Sequence, residues 1–247
     1  MLTPVEIKFS AQSILNTLKH CQLEQDQFDD MNKLDIMEPT GNFFYDPWQL
    51  KPSFRTPELI ALFDQLPPVG QTKIVSIPPG TAYQAHADIE DRYHITLQGK
   101  HSYLIDLEHN EMHSTDVNDQ CYLMDTTCVH TAANFGDCDR IQLVIRLLLN
   151  RNRLNTPVRI SIQPKLLDQP HNQRLWMDQH ILTWLNQANK RGIMAHYNPM
   201  GEDTHWCFDL EQECVTEFEQ RVRELPFECV VACDSVAQLP QTSTRVA

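Results

Sequence analysis

Four short stretches between residues 86 and 146 carry side chains able to do metal chemistry. They are His86-Ala87-Asp88, Arg92-Tyr93-His94, His130 and Arg140. On an extended strand side chains alternate, so His86 and Asp88 point to one face with only Ala87 between them. One imidazole and one carboxylate then converge, and a third donor must come from elsewhere. His130 is the best candidate, because it follows the apolar run QCYLMD (120–125) by a short loop. Two histidines and one carboxylate make the facial set of non-haem Fe(II) sites. Three octahedral positions then stay open for a chelating cosubstrate and O2.

Arg140 opens the run RIQLVIRLLL (140–149), ten residues beyond His130. Alternation places Arg140, Gln142 and Val144 on one face and Ile141, Leu143 and Ile145 on the other. The first face is mixed, as a polar pocket needs. The second is apolar, as a face packed on helices needs. A guanidinium in that place holds a carboxylate through a two-pronged charged bond. Arg92 and His94 share a strand face in RYHITL (92–97), and either is placed to orient a second carboxylate. Together these donors suit a small dicarboxylate that also chelates iron.

The elements that position them read as mainly β. From Lys73 to about Leu149 the apolar runs are short and their period is near two. The runs are KIVSI (73–77), YQAHAD (83–88), RYHITL, SYLIDL (102–107), QCYLMD and RIQLVIRLLL. This pattern predicts a double-stranded β-helix, the cupin-like jelly roll. A parallel doubly wound sheet would need crossover helices that are missing. Upstream, VEIKF (5–9) reads as a strand, and AQSILNTLKHC (11–21) and TPELIALFDQL (56–66) as helices, the latter capped by Thr56 with Pro57 in its first turn. FFYDPW (43–48) is either a packing edge or a lip over a pocket.

Beyond NRNRLNTP (150–157) the order becomes β-α-β-β-α-β, as in a split βαβ sandwich. Its helices are predicted over 173–191 and 211–225, its strands in VRISIQ, GIMAHY, HWCFDL and FECVVAC. Trp176 and Trp184, eight apart, fall on one helical stripe and predict core or interface packing. An exposed stripe there would make a homodimer. The chain thus divides into a jelly-roll domain with N-terminal helical support (1–150), a small α+β domain (151–235) and a flexible tail (236–247).

Composition narrows the function. The formal charge of −13 argues against nonspecific nucleic-acid binding, though a local basic pocket remains compatible with it. No window approaches a membrane span, and the N-terminus lacks the basic and apolar regions of a signal peptide, so a cytoplasmic chain is expected. The eight cysteines include no CxxC pair and are expected as free thiols.

The motifs resemble those of the aspartyl/asparaginyl β-hydroxylase family of 2-oxoglutarate- and Fe(II)-dependent dioxygenases, which includes bacterial proline hydroxylases. That family is marked by a strand histidine, then R-x-H-[LI], a loop with H-x-[AV], and an arginine in R-[IL]-x-[LF]-[VI]. Here they stand as His86-Ala87-Asp88, RYHITL, VHTAANF (129–135) and RIQLVI (140–145), after a Pro-Gly turn in IPPGTAYQAH (77–86). The resemblance implies that His86, Asp88 and His130 bind Fe(II). It implies that Arg140 clamps the distal carboxylate of 2-oxoglutarate and that Arg92 and His94 contact this cosubstrate. Asp88 stands where the animal β-hydroxylase has glycine, so the full triad is present here. The segment from His86 to Arg92 is shorter than in the animal enzyme. The implied reaction hydroxylates an amino acid, free or as an Asp/Asn/Pro-type residue of a peptide or protein, with succinate and CO2 as coproducts. A cupin-type metalloenzyme without 2-oxoglutarate and a non-catalytic binding protein are the competing classes. Residues 150–247 carry no comparable resemblance.

Overall fold

The computed structural model describes residues 2–21, 33–149, 154–165, 175–193, 196–199 and 206–235. The tail expected at 236–247 lies outside them. The chain is mainly β, and its strand pairs are antiparallel. The strands of the first part are β1 (Leu2–Val5), β2 (Lys33–Asp35), β3 (Met37–Pro39), β4 (Trp48–Leu50), β5 (Val69–Ile77), β6 (Thr81–Ala82), β7 (Arg92–Gln98), β8 (Ser102–Asp106), β9 (Glu111–Ser114), β10 (Cys121–Met124), β11 (His130–Asn134) and β12 (Arg140–Leu147). Six form a sheet in the order β1-β10-β7-β12-β5-β2, and four form another in the order β6-β11-β8-β9. The first strand is Leu2–Val5, not VEIKF. Val5 is its last residue because pairing with β10 ends there, at Cys121.

Alternation explains what each face of the six-stranded sheet does. Tyr93, Ile95 and Leu97 of β7, with Leu143 and Ile145 of β12, join the core beneath two helices. These helices are α1 (Ala11–His20) and α2 (Pro57–Phe63). The Ser10 hydroxyl caps α1 by accepting from the Ser13 amide, and Thr56 does the same for Leu59 in α2. The apolar stripes Ala11-Ile14-Leu15-Leu18 and Leu59-Leu62 then face the sheet. The opposite face carries Arg92, His94, Arg140 and Gln142. Between the two sheets lies a small apolar cluster of Val75, Ile77, Leu104, Met124 and Ala132. Gly80, with a left-handed φ of 71°, turns the chain from β5 toward β6 after Pro78-Pro79.

The C-terminal part follows the predicted β-α-β-β-α-β order. It comprises β13 (Pro157–Pro164), a helix ending in α3 (Thr183–Lys190), β14 (His196–Pro199), β15 (Trp206–Glu211), α4 (Val215–Arg223) and β16 (Cys229–Ser235). Its sheet order is β14-β15-β13-β16. The expectation that Trp176 and Trp184 share a stripe fails. A π turn at Asp178–Leu182 inserts an extra residue between them and rotates the register. Trp184 is buried against Phe218, whereas Trp176 is exposed and stacks on His180. The apolar side of this helix is otherwise covered, by Phe208, Leu210 and Phe218 among others. Trp184→Ala is expected to cost about 3–5 kcal/mol, the usual effect of emptying a buried indole site; urea unfolding of the two proteins measures it. No helix among the described residues is long and apolar enough to cross a membrane. No disulfide joins any of the eight cysteines.

Candidate metal centre

The backbone sets His86 and His130 side by side. The His86 amide donates to the His130 carbonyl at 3.0 Å, and the His130 amide returns the bond at 2.9 Å. YQAHAD is therefore not a continuous strand. The ladder of β6 ends at Ala82, the Tyr83 amide still donates to the Ala132 carbonyl at 2.8 Å, and an isolated bridge to His130 follows at His86. The expected alternation still holds. His86 and Asp88 face the cavity, while Ala87 and Ile89 sink into the core of the C-terminal part.

Three ligand atoms converge. Asp88 Oδ2 lies 3.7 Å from His86 Nε2 and 3.6 Å from His130 Nε2. Donor atoms of the trio all lie within 4.8 Å of one another, close enough to hold one ion. Each imidazole is oriented from behind. His86 Nδ1 meets the Gln84 carbonyl at 2.8 Å, and His130 Nδ1 meets the Cys128 carbonyl at 3.0 Å. A carbonyl only accepts, so each Nδ1 carries the proton and each Nε2 offers its lone pair inward. Burial pushes His130 down to about 4. Burial alone would raise Asp88, but Arg92, His86 and His130 outweigh it and hold the carboxyl at about 2. At neutral pH the site thus presents a carboxylate and a neutral His130 imidazole, the forms that bind metals. Asp88 Oδ2 is buried without a hydrogen-bond partner, while Oδ1 accepts from Arg92 Nη2 at 2.6 Å. An orphaned carboxylate oxygen flanked by two inward lone pairs is a donor set that fits a cation.

The loop bearing Asp88 is tied down from two sides. Thr126 donates its hydroxyl to the Glu90 carbonyl at 3.0 Å, and its amide donates to Asp91 at 3.1 Å. Buried Asn186 of α3 donates to Thr126 Oγ1 at 2.7 Å, to Asp91 Oδ1 at 3.3 Å and to the Asp88 carbonyl at 3.4 Å. Lys190 pairs with Asp91 at 3.0 Å and Asp125 at 2.8 Å. The Ala87 amide donates to Asp178 at 3.4 Å. Partners behind a ligand are worth about 10–100-fold in metal affinity. Asn186→Ala should therefore weaken Mn(II) binding by about that factor, read by calorimetry on protein whose near-ultraviolet dichroism is unchanged.

Two adjoining cavities open on the trio. The inner one, of about 60 Å³, is lined by His94, Arg140, Gln142 and His130, with apolar Leu104, Ala132 and Val144. The outer one, of about 420 Å³, is lined by Lys33, Lys73, Arg146, Gln71 and Asp178. His86, Asp88, Arg92 and Tyr83 border both, as do Lys33, Val75 and Val144. Arg140 is only 2% exposed. Its Nε donates to Thr115 Oγ1 at 3.2 Å, and its Nη2 has no partner. Among the described residues no carboxylate forms an ion pair with it, and burial pushes it down to about 10. Burial likewise pushes His94 to about 3, leaving it neutral, with Nδ1 3.3 Å from Gln142 Oε1. Arg92 is committed to Asp88 and, at 3.3 Å, to Glu90.

All six predicted site residues therefore border one region. Lys33, Lys73, Arg146 and Asp178 were not predicted. Arg146 follows Val144 on the same strand face, and Lys73 precedes Val75 on β5, so alternation could have found both. Asp178 arrives through the π turn, which no sequence pattern announces. Asp106 and Asp125 do not back the ligand imidazoles; carbonyls do. Asp106 instead caps the turn at Glu108 and His109 and pairs with the exposed His109 ring at 2.8 Å. Cys128 beside it is pushed up to about 12 by burial and by Asp106, so its thiol stays protonated. His101, with a left-handed φ of 56°, is an exposed turn residue. FFYDPW is a packing edge: Phe44 and Tyr45 lie against the C-terminal core, and Phe43 and Trp48 stack edge to face at 5.1 Å.

Fold and site together define a mainly antiparallel β protein with a His-Asp-His constellation set to hold a metal. Residues 43–149 match the model of the aspartyl/asparaginyl beta-hydroxylase family, whose motifs this stretch resembles. No curated protein sequence matches the chain. Among solved structures, the crystal structure of CapF with the inhibitor 3-isopropenyl-tropolone is similar at 12% identity and a TM-score of 0.28. The match covers 46% of this chain and 31% of that one, and a likeness so distant carries no inference.

Proposed function

We propose that the protein is a 2-oxoglutarate- and Fe(II)-dependent dioxygenase that hydroxylates an amino acid, with the free amino acid as first choice and a peptide or protein residue as second. The observation that carries the reading is the pairing of two features. Asp88 Oδ2 stands orphaned between two inward Nε2 atoms, and a buried arginine without a counter-ion among the described residues lines the adjoining inner cavity. The family match supports the same chemistry. The strand order supports a double-stranded β-helix over β5 to β12. Those eight strands divide into β10-β7-β12-β5 and β6-β11-β8-β9, and a jelly roll distributes its strands over two facing sheets in this way. In this reading residues 1–150 form the catalytic unit and 151–235 a smaller unit behind it.

His86, Asp88 and His130 would hold the iron, and Arg140 would take the distal carboxylate of 2-oxoglutarate. When bound, the iron and 2-oxoglutarate supply an oxidative decarboxylation that consumes O2, releases succinate and CO2 and places one oxygen atom in a C–H bond of the substrate. The chain does the rest. The carbonyls of Gln84 and Cys128 fix the imidazole tautomers. Arg92 holds Asp88 ionised and leaves its second oxygen for the metal. Val144, Leu104 and Ala132 keep the inner cavity partly apolar, which strengthens the Arg140 charge toward an anion.

The test is an anaerobic titration of Fe(II)-loaded protein with 2-oxoglutarate, watching for the visible charge-transfer band of the chelate. A saturable band, followed by succinate release with free amino acids under O2, is expected. Metal-loaded protein with no band would rule the 2-oxoglutarate assignment out.

A further inference from the structure

The outer cavity is where a primary substrate of the proposed dioxygenase would enter, so the role of its lining rests on that reading. Arg146 lines that cavity and not the inner one, whereas Arg140 lines the inner one and not the outer. The two stand six residues apart on the same face of β12, roughly 20 Å along the strand. Arg146 is 4% exposed. Its Nε nevertheless has no hydrogen-bond partner, and its ion pair with Glu90 spans 3.9 Å. Arg92, by contrast, sits 3.3 Å from the same Glu90 and 2.6 Å from Asp88.

The Arg146 head is held in a built cradle. The guanidinium carbon lies 4.2 Å from the Phe43 ring centroid, 5.1 Å from Phe44 and 5.6 Å from Trp48. Nη2 donates to the Phe43 carbonyl. On another side Gly70 leaves the head room: a Cβ there would come within 2.9 Å of both Nε and Nη2, so the guanidinium would have to shift. Aromatic stacking uses the faces of a guanidinium and leaves its edge donors for an anion in the plane. Lys33 and Lys73 add positive charge to the same cavity, in a chain whose net charge is −13. A local positive lining in an acidic protein concentrates anions there. The cavity, at about 420 Å³, falls in the range of small-molecule sites.

We propose that Arg146 is the anchor for a carboxylate of the primary substrate, which is therefore a small carboxylic acid. The two arginines of β12 then take two different carboxylates, the cosubstrate's at Arg140 and the substrate's at Arg146, on either side of the ligand trio.

The test uses the full chain loaded with Mn(II) and 2-oxoglutarate without O2. The probes are the twenty free L-amino acids, their N-acetyl derivatives and the carboxamide of each binder, with affinity read by calorimetry. The expected result is that at least one acid binds and that its carboxamide binds on the order of 100-fold more weakly. Arg146→Met should lose acid binding by a similar factor, and Arg146→Lys should restore part of it. Gly70→Ala, which displaces the head without removing it, should also weaken the acid. The chelate band of Arg146→Met with Fe(II) and 2-oxoglutarate separates this from the reading beneath it. A normal band with lost acid binding supports the anchor. Acid affinity unchanged in Arg146→Met, equal binding of acid and amide, or no acid bound by a parent protein that forms the chelate would each overturn it. If the parent forms no chelate yet binds an acid that Arg146→Met does not, the anchor stands and the 2-oxoglutarate assignment falls.

Discussion

His130→Ala protein binds Fe(II) more than about 100-fold more weakly than the parent and releases no succinate above background. Partners that merely orient a ligand are worth about 10–100-fold in affinity, and losing the ligand itself should exceed that. His130 is also the least replaceable of the three. It is buried, its Nδ1 is fixed by the Cys128 carbonyl, and its backbone pairs in both directions with His86. Water could fill the space of the lost ring, but a single water does not restore a fixed imidazole donor. Equilibrium dialysis against Fe(II) under argon, with succinate measured after admission of air, checks both halves. Affinity within a factor of a few of the parent would remove His130 from the ligand set.

Arg140→Met is expected to abolish the chelate band at 2-oxoglutarate concentrations that saturate the parent, while Fe(II) binding stays within a few-fold. Truncating one member of a buried charged pair costs about 2–5 kcal/mol, or roughly 30- to 5,000-fold in affinity. The upper part of that range applies here. Arg140 has no carboxylate partner among the described residues, so the ligand would be its counter-ion. Methionine keeps most of the volume and removes the charge. The separation between lost cosubstrate and kept metal is the informative point, since general damage to the fold would lower both. Titrating the variant with metal first and 2-oxoglutarate second reads the two steps apart.

Much of this site is legible in the sequence, because period-two alternation is a short-range rule. It assigns the inward and outward faces of β7 and β12, and it pairs His86 with Asp88 across Ala87. Equally local signals locate the helix cap at Thr56 and the β-α-β-β-α-β order of the C-terminal part. The rest depends on contacts between residues far apart in sequence. Nothing near Asp88 foretells that Asn186 holds its loop. The π turn at Asp178–Leu182 breaks the helical period, which is why the pairing of Trp176 with Trp184 fails. The irregular stretch between Tyr83 and His86, where the Gln84 carbonyl meets the His86 ring, has no signal in the alternation pattern. Arg146 is within reach of the rule, since it falls on the Arg140 face, but its aromatic cradle comes from residues 43–48, about a hundred positions earlier.

The residues that alternate with the ligands point the other way, and this has a consequence for the molecule as a whole. Ala87, Ile89 and Val129 are members of the same buried cluster as Ile160, Trp184 and Phe208. The backs of both ligand segments are thus the front of the C-terminal core, and neither half presents a finished surface to the other. A polypeptide ending near residue 150 would offer those apolar backs to water and leave the Asp88 loop without Asn186. By mass action an ion that binds only the native arrangement stabilises everything cooperative with it. Metal taken up beside β11 would then be felt as resistance to melting in helices and strands well beyond residue 150.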